Sequence, residues 1–292
     1  MSKRFLLVAL VVVGLVFVSA ALADNDVMLF LVSYAVDECS LANTADHTYT
    51  FQGYMDAMED ANWDVTDFND SSYHVKRTMS DCVLKSYGRD DANLEPFDIG
   101  IIEGHGITRT QSGTTSFRFS GNRFRDDDCF VWPRYDMHLG GTRCGVTSDL
   151  EFLHMHSCHS MTTGDDSHKN TWRPVFNGVH LITGYHGEAD LNMHSEYEAF
   201  AEDAQSDSVA YEWIALWAEN VFRVKVAEGI YILYDRCPVA YTAGEYQSYM
   251  LSRLQYETYG NRASWTDVED PTLYKRLYIS GCHGKGAGVI DD

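Results

Sequence analysis

Two short segments of the sequence combine residue types that carry out nucleophilic catalysis. Residues 103–106 read EGHG and residues 157–160 read SCHS. A cysteine attacks a carbonyl carbon as its thiolate, and a nearby imidazole accepts the thiol proton or stabilises the ion pair that forms. Cys158 is therefore the candidate nucleophile and His105 its candidate partner, provided that the fold brings the two segments together.

The same two segments offer backbone N–H groups for an oxyanion. The tetrahedral intermediate of acyl transfer carries an oxyanion that needs such donors. Gly106 follows His105 and has no side chain to shield its N–H group, and the N–H group of Cys158 is the natural second donor. A helix that began directly after Cys158 would add a positive N-terminal field and favour the thiolate.

Continuous apolar runs of strand length precede both segments. Such runs are typical of strands that are buried on both faces, as in parallel sheets. The predicted strands are 27–34 (VMLFLVSY), 97–102 (FDIGII), 149–156 (DLEFLHMH), 179–184 (VHLITG) and 229–234 (GIYILY). The predicted helices are 49–62, 195–221 with a break near 206–208, and 245–259, and a hairpin pattern covers 108–120. This alternation predicts an α/β sandwich with a mostly parallel sheet, in one domain spanning residues 24–292.

The carboxyl edge of such a sheet is where functional residues gather, because the strands end there. Three predicted strands lead into His105, Cys158 and His186, so parallel neighbours would bring these residues to one edge. His186, Glu103 and His159 are candidates for substrate binding. His186 would equally suit a packing role, and a carboxylate near any site is expected by chance in so acidic a chain.

The order of these segments resembles the two-block pattern of the caspase-like cysteine peptidases, which include caspases, metacaspases, legumains, gingipains, clostripains and separases. The blocks are FDIGIIEGHG and DLEFLHMHSC, an apolar strand ending in His-Gly and a later one ending in a small residue and Cys. Their His and Cys are 53 residues apart (158 − 105), close to the ~50 typical of caspases. The chain more closely resembles an uncharacterised exported bacterial and archaeal branch, in which a Gly-aromatic-His turn follows the next strand, as in residues 184–186.

The resemblance implies a three-layer, caspase-like sandwich and a cysteine hydrolase, most directly an endopeptidase that acts on a peptide or protein through a thioester. It implies His105 as general base and acid, Cys158 as nucleophile and Gly106 as oxyanion donor. The caspase glutamine-alanine-cysteine-arginine-glycine signature is absent, because HSCH stands at 156–159, so specificity pockets do not carry over. Such an enzyme needs no cofactor. Calcium binding at residues 126–128 (DDD) is an open alternative to a plain solvated surface.

Two other functions remain open. His154, His156, Cys158 and His159 form an H-x-H-x-C-H pattern that resembles the H-x-H-x-D-H block of metallo-β-lactamase-like zinc hydrolases. Imidazole and thiolate are good zinc ligands, and strand alternation puts three of these residues on one face. This alternative lacks the usual aspartate and leaves residues 104–106 unexplained. The other function is that of an inactive caspase-like scaffold, used as an exported binding module.

The N-terminal 23 residues have the pattern of a cleaved export signal. Lys3 and Arg4 precede an uncharged apolar run over residues 5–20, and residues 21–23 (ALA) offer the small-x-small cleavage pattern. The alternative is an uncleaved membrane anchor, because the run approaches the ~18 residues of a spanning helix. Cleavage of the signal would give a secreted or extracytoplasmic protein, which is our expectation. The net charge of −21 excludes nucleic acid and anionic membranes as partners beyond that signal.

Seven cysteines follow the predicted signal, and export permits disulfides between them. An odd count leaves at least one thiol outside intramolecular disulfides, and Cys158 is the natural candidate. Six cysteines allow 15 pairings, so the connectivity cannot be derived. Cys129 and Cys144 form a plausible local pair, since they flank a turn-rich segment with Gly140 and Gly141. The alternative is that none of the cysteines is bridged.

Overall fold

An eight-stranded mixed sheet forms the centre of the computed structural model. The structure describes residues 25–31, 48–67, 78–86, 88–104, 108–111, 114–118, 130–161, 167–187, 189, 193–216, 224–227, 230–233, 237–278 and 288–291. The predicted export signal and the possible calcium site at 126–128 lie outside the described residues. Among the helices of the described part, none has the length and apolar character needed to span a bilayer.

The secondary structure alternates between strands and helices, as the sequence predicts. The strands are β1 (Asp26–Leu31), β2 (Asp64–Asp67), β3 (Ile99–Glu103), β4 (Thr108–Gln111), β5 (Thr114–Arg118), β6 (Phe130–Val131), β7 (Thr142–Arg143), β8 (Val146–Thr147), β9 (Phe152–His156), β10 (Leu181–Tyr185), β11 (Val224–Ala227), β12 (Ile230–Leu233), β13 (Pro238–Gly244), β14 (Leu273–Tyr278) and β15 (Gly288–Asp291). The helices are α1 (Thr48–Asp60), α2 (Asp90–Asn93), α3 (Pro133–Asp136), α4 (Ser167–Trp172), α5 (His194–Asp203), α6 (Val209–Ala215) and α7 (Gln247–Tyr256), with 3-10 turns at Arg173–Val175 and Tyr259–Ser264.

The sheet order is β15-β14-β13-β10-β9-β3-β1-β2. β2, β1, β3, β9 and β10 are parallel neighbours, and β13, β14 and β15 add antiparallel strands beyond β10. The predicted α/β class with a mostly parallel sheet is thus confirmed. The parallel half contains four of the five predicted strands, because their continuous apolar runs suit strands covered on both faces.

Helices cover both faces of the sheet, so the molecule has three layers. Strand alternation sends Leu29 and Ile101 into a core with α1, α5, α6 and α7, whereas Met28 and Ile102 enter a second core with Trp172 of α4. Each of these five side chains is at most 1% exposed. Two separate apolar cores on opposite faces are the expected outcome for a central parallel sheet.

The fifth predicted strand lies outside the main sheet. Residues 230–233 do form a strand, β12, but it pairs with β11 in a separate two-stranded sheet. The neighbour of β10 is instead β13 (PVAYTAG), which the sequence did not predict. Its seven residues are all buried. However, several of them are small or polar, so the sequence shows no continuous apolar run there. The position of β13 in the sheet depends on its pairing with β10 and β14.

The predicted long helix over 195–221 is divided into α5 and α6, close to the predicted break. α5 ends at Asp203 and α6 begins at Val209, with Ser208 as its N-cap. The hydroxyl of Ser208 accepts a hydrogen bond from the N–H group of Tyr211 at 3.3 Å and donates one to the carbonyl of Leu254 at 2.6 Å. Ser208 thus caps α6 and joins its first turn to α7.

The disulfides correct one predicted pair. Cys144 is bonded to Cys82 rather than to Cys129, across 62 residues of sequence. Cys144 lies at the tip of the β7–β8 hairpin with a positive φ of 52°, and this hairpin faces the loop that contains Cys82. Cys237 is also disulfide-bonded, whereas Cys158 carries a thiol.

Candidate active site

The carboxyl ends of β3 and β9 meet in register. Glu103 is paired with His156, and the N–H group of Gly104 donates a hydrogen bond to the carbonyl of His156 at 3.2 Å. Residues 105–107 lie outside the described residues, so the roles of His105 and Gly106 stay predictions. In the sequence, His105 follows Glu103 by the same two-residue step by which Cys158 follows His156.

The Cys158 thiol contacts the chain beyond β10. The N–H group of Ala189 donates a hydrogen bond to Sγ at 3.3 Å, and Sγ lies 3.7 Å from the carbonyl oxygen of the same residue. Cys158 is half-buried. A backbone N–H group directed at sulfur favours the thiolate, whereas a carbonyl oxygen that accepts from the S–H group favours the thiol.

Backbone hydrogen bonds join the turn after β9 to the turn after β10. The N–H group of His159 donates to the carbonyl of Gly187 at 2.7 Å, and that of Met161 donates to the carbonyl of Tyr185 at 3.0 Å. The hydroxyl of Ser160 accepts from the N–H group of Tyr185 at 3.1 Å. These bonds hold the segment that carries Cys158 against the end of β10.

Residues 158–161 form a turn and not the helix that the sequence suggested directly after Cys158. His159 has a φ of 52°, which lies in the left-handed region and cannot continue a right-handed helix. Its Nδ1 lies 3.0 Å from the carbonyl oxygen of His186. Any activation of Cys158 therefore comes from neighbouring donors and not from a helix dipole at this position.

His186 and Glu103 occupy different depths at the edge. The side chain of His186 is half-buried, and its N–H group donates to the carbonyl of Cys237 at 2.8 Å. Glu103 is 0% exposed, and its Oε1 lies 3.8 Å from Nε2 of His156. The carboxyl group of Glu103 is thus buried beneath the edge, whereas His186 and His159 are partly exposed. Their roles in substrate binding stay predictions.

A layer of aromatic hydroxyl groups supports His156 from below. Nδ1 of His156 is hydrogen-bonded to the hydroxyl of Tyr197, which lies 2.8 Å from the hydroxyl of Tyr185. Phe51 of α1 packs edge-on against the same imidazole, with ring centroids 5.3 Å apart. Sequence reasoning missed this layer and the Ala189 contact. The alternation in residues 152–156 predicts only which face of the sheet His156 lies on. It does not reveal the partners of His156, which come from parts of the chain distant in the sequence.

The histidines of the zinc alternative are engaged in separate hydrogen bonds. Nδ1 of His154 lies 2.7 Å from the hydroxyl of Thr183, and Nε2 lies 2.7 Å from the hydroxyl of Tyr259. Burial lowers the pKa of His154 to about 3, so its imidazole is neutral. Among the described residues, the groups of ligands close enough to share a metal do not include His154, His156 or His159.

These features define an α/β protein with a cysteine thiol at the carboxyl edge of a parallel sheet. Residues 32–227 match the family described as a domain of unknown function, DUF6345, and the chain belongs to this family. No curated protein matches the chain. A solved structure of a secreted C11 cysteine protease from Bacteroides thetaiotaomicron, in complex with an irreversible peptide inhibitor, is similar in fold. The two are 9% identical, with 91% of this chain and 89% of that chain covered and a TM-score of 0.42.

Proposed function

We propose that this protein is an exported cysteine hydrolase, specifically an endopeptidase, with Cys158 as nucleophile and His105 as general base and acid. The observation that carries the proposal is the register between β3 and β9, which ends both strands at one edge. A thiol two residues beyond the end of β9 and a histidine two residues beyond the end of β3 in the sequence are suitably spaced for a dyad.

The contacts of Cys158 support a nucleophilic role over a structural one. A structural cysteine in an exported chain is usually bridged, as Cys82, Cys144 and Cys237 are here. Cys158 instead carries a thiol, and the N–H group of Ala189 points at its sulfur. A reactive cysteine needs a partly exposed site with donors that favour the thiolate.

The proposed reaction is an acyl transfer in two steps. His105 accepts the thiol proton, and the Cys158 sulfur attacks the scissile carbonyl carbon, whose oxygen becomes an oxyanion held by the N–H groups of Gly106 and Cys158. When the C–N bond breaks, the amine leaves with the proton from His105, and a thioester remains on Cys158. Water then attacks the thioester, with His105 as general base, and releases the carboxylic acid and the thiol. No step needs a cofactor.

Substrate contacts are proposed for the loops at the same edge. His159 directly follows Cys158, its N–H group donates to the carbonyl of Gly187, and its Nδ1 lies 3.0 Å from the carbonyl oxygen of His186. Both histidines therefore lie where the two turns join. Glu103, being buried, would act on the substrate through charge and not by contact. A peptide or protein is the proposed substrate.

The test is digestion of a peptide library by the exported wild-type protein, a Cys158→Ala variant and a Ser157→Ala control. We expect cleavage by the wild type and the control, and none above background by Cys158→Ala. Each sample is assayed under reducing and oxidising conditions, with and without a chelator. Absence of any difference between the wild type and Cys158→Ala in all conditions would refute the proposal and favour a binding module. Loss of cleavage only with the chelator would favour the zinc alternative.

A further inference from the structure

A second cluster of ionisable side chains lies at the amino edge of the sheet, opposite Cys158. Glu151 directly precedes β9 and His180 directly precedes β10. Glu257 follows the last residue of α7, and Asp267 lies between the second 3-10 turn and β14. Four separate chain segments thus contribute to one cluster, which the proposed hydrolase chemistry does not use.

His180 is the centre of this cluster. Its Nδ1 is hydrogen-bonded to Oε1 of Glu257 and lies 2.7 Å from Oε2 of Glu151, and its Nε2 lies 3.0 Å from Oδ1 of Asp267. One ligand atom from each of Glu151, His180 and Asp267 lies within 4.8 Å of the other two. His180 and Glu257 are 0% exposed, whereas the side chain of Asp267 is 60% exposed.

The described residues supply too few hydrogen-bond donors and positive charges to pair with all the carboxylate oxygens of this cluster. Nδ1 carries at most one proton, so it cannot donate to both Glu151 and Glu257. If the single Nδ1 proton goes to Glu257, Oε2 of Glu151 has no hydrogen-bond donor among the described residues, and Oε2 of the wholly buried Glu257 has none either. Arg253 offers one cation, with its Nε 3.5 Å from Oε2 of Glu257. Three carboxylates therefore face one guanidinium and one imidazole. Glu257 is wholly buried, whereas the side chains of Glu151 and Asp267 are 19% and 60% exposed, so the excess negative charge is costly mainly where it adjoins Glu257.

The surroundings add to this negative potential. Asp149 and Asp98 lie close enough to Glu151 for their charges to interact. Arg262 is bonded to Asp98 through its Nε at 2.9 Å and is therefore engaged elsewhere. A divalent cation is the ligand that this arrangement of charge would attract.

We propose that Glu151, His180 and Asp267 bind a divalent metal ion of the zinc or manganese class, with Glu257 orienting the imidazole. Metal-binding histidines commonly donate their other N–H group to a carboxylate, which fixes the tautomer, and Glu257 accepts from Nδ1 in this way. One imidazole with carboxylate oxygens suits zinc or manganese better than magnesium or calcium. The exposed Asp267 gives the ion a path from solvent, and its role is to cross-link this edge of the fold.

The competing explanation is a protonated His180 that binds the carboxylates without any metal. Burial by itself lowers the pKa of His180, but the charge of Glu257 and the bonds to Asp267, Glu151 and Glu257 outweigh it and raise the pKa well above the ordinary value. Since a metal must displace a proton from this ring, the two states exclude each other. An experiment can therefore separate them.

The experiment uses the exported protein with Cys158→Ala as background, so that the thiol cannot bind metal. After dialysis against a chelator, the melting temperature and the metal content are measured at pH 7.5 with Zn²⁺, Mn²⁺, Ca²⁺ or no metal. The test variant is Asp267→Asn, which removes the carboxylate at an exposed position, and the control is Asp270→Asn at a nearby exposed acid. The removal of one ligand is expected to weaken binding by about tenfold or more.

The expected result is one bound Zn²⁺ or Mn²⁺ per chain and a raised melting temperature in the background protein and in Asp270→Asn, with both effects reduced in Asp267→Asn. No stoichiometric metal and no change in melting temperature would overturn the proposal and leave the protonated histidine as the explanation. Binding that Asp267→Asn leaves intact, or that only Ca²⁺ produces, would also overturn it. Because Cys158 is absent throughout, none of these outcomes depends on the proposed hydrolase activity.

Discussion

The proposed function depends on Cys158, and a single substitution can test the contact between Cys158 and Ala189. The N–H group of Ala189 lies 3.3 Å from Sγ. A hydrogen bond to a charged group contributes about 1.5–3 kcal/mol. The loss of this donor should therefore reduce the thiolate fraction without altering the imidazole partner.

We predict that Ala189→Pro, which removes the N–H group, slows alkylation of Cys158 by iodoacetamide at pH 7 by about tenfold. The control is Ala189→Gly, which keeps the donor and should label at a rate close to that of the wild type. Labelling is followed by mass spectrometry of the peptide that contains Cys158. Equal rates for the proline and glycine variants would show that the contact does not activate the thiol.

His154 makes the fold sensitive to acid at the residue scale. Burial lowers the pKa of this histidine from 6.5 to about 3, so the unfolded chain binds more protons than the folded chain between these values. The stability that His154 contributes is therefore complete above pH 6.5 and is lost as the pH falls towards 3. The slope is at most about 1.4 kcal/mol per pH unit.

We predict that the free energy of unfolding falls less steeply between pH 6.5 and pH 4 in His154→Gln than in the wild type. Glutamine can still bond to Thr183 and Tyr259 but does not titrate. Urea unfolding at several pH values measures both slopes, and their difference isolates His154 from other titrating groups. Equal slopes of unfolding free energy against pH in the two proteins would contradict the proposed role of His154.

At the scale of elements, β10 supports the turn that carries Cys158. A Cβ atom added to Gly184 would lie 2.6 Å from the hydroxyl oxygen of Ser160 and 2.9 Å from Met161, both in that turn. The turn is hydrogen-bonded to Tyr185 through the N–H group of Met161 and the hydroxyl of Ser160. These bonds limit how far the turn can move away from an added Cβ atom. A single added methyl group should displace Cys158.

Gly184→Ala is predicted to reduce labelling of Cys158 and any peptide cleavage by about tenfold or more, since small displacements of reacting groups are costly. Gly244→Ala in β13 is the matched control, because its nearest contact is Cγ of the flexible Met250 at 3.0 Å. Labelling rates and melting temperatures are measured for both. If the two variants label equally, β10 does not position the site.

The sequence predicts elements well where local pattern determines them. The apolar runs of β1, β3, β9 and β10 match the observed strands because both faces are covered. β13 was missed because its small and polar residues give no run, and only its neighbours place it. Likewise Cys82–Cys144 and the His180 cluster join segments distant in sequence, which spacing does not reveal.

At the scale of the whole molecule, the disulfide between Cys82 and Cys144 ties the β7–β8 hairpin to the loop that contains Cys82. It closes a loop of 62 residues, and loops of this length give a stabilisation of about 2–4 kcal/mol through the unfolded state. Cys144 precedes β9 in the chain, whereas Cys158 follows it, so we expect the disulfide to act on stability and not on the reactivity of Cys158.

We predict that a Cys82→Ser, Cys144→Ser double variant loses about 2–4 kcal/mol of unfolding free energy while retaining alkylation of Cys158 at the wild-type rate. Urea unfolding gives the first quantity and mass spectrometry the second. The matched control is Cys158→Ala, whose stability should stay within about 1 kcal/mol of the wild type. A labelling rate that falls together with the disulfide would mean that the two sites are coupled.

The central claim is that His105 activates Cys158, and the most direct measurement is the rate of Cys158 alkylation by iodoacetamide at pH 6.5. An ordinary thiol is almost wholly protonated at this pH, so rapid labelling needs a partner that accepts the proton. We predict that wild type labels at least about tenfold faster than His105→Ala, with His194→Ala as a control that labels as wild type does. Equal, slow labelling of wild type and His105→Ala would contradict the account.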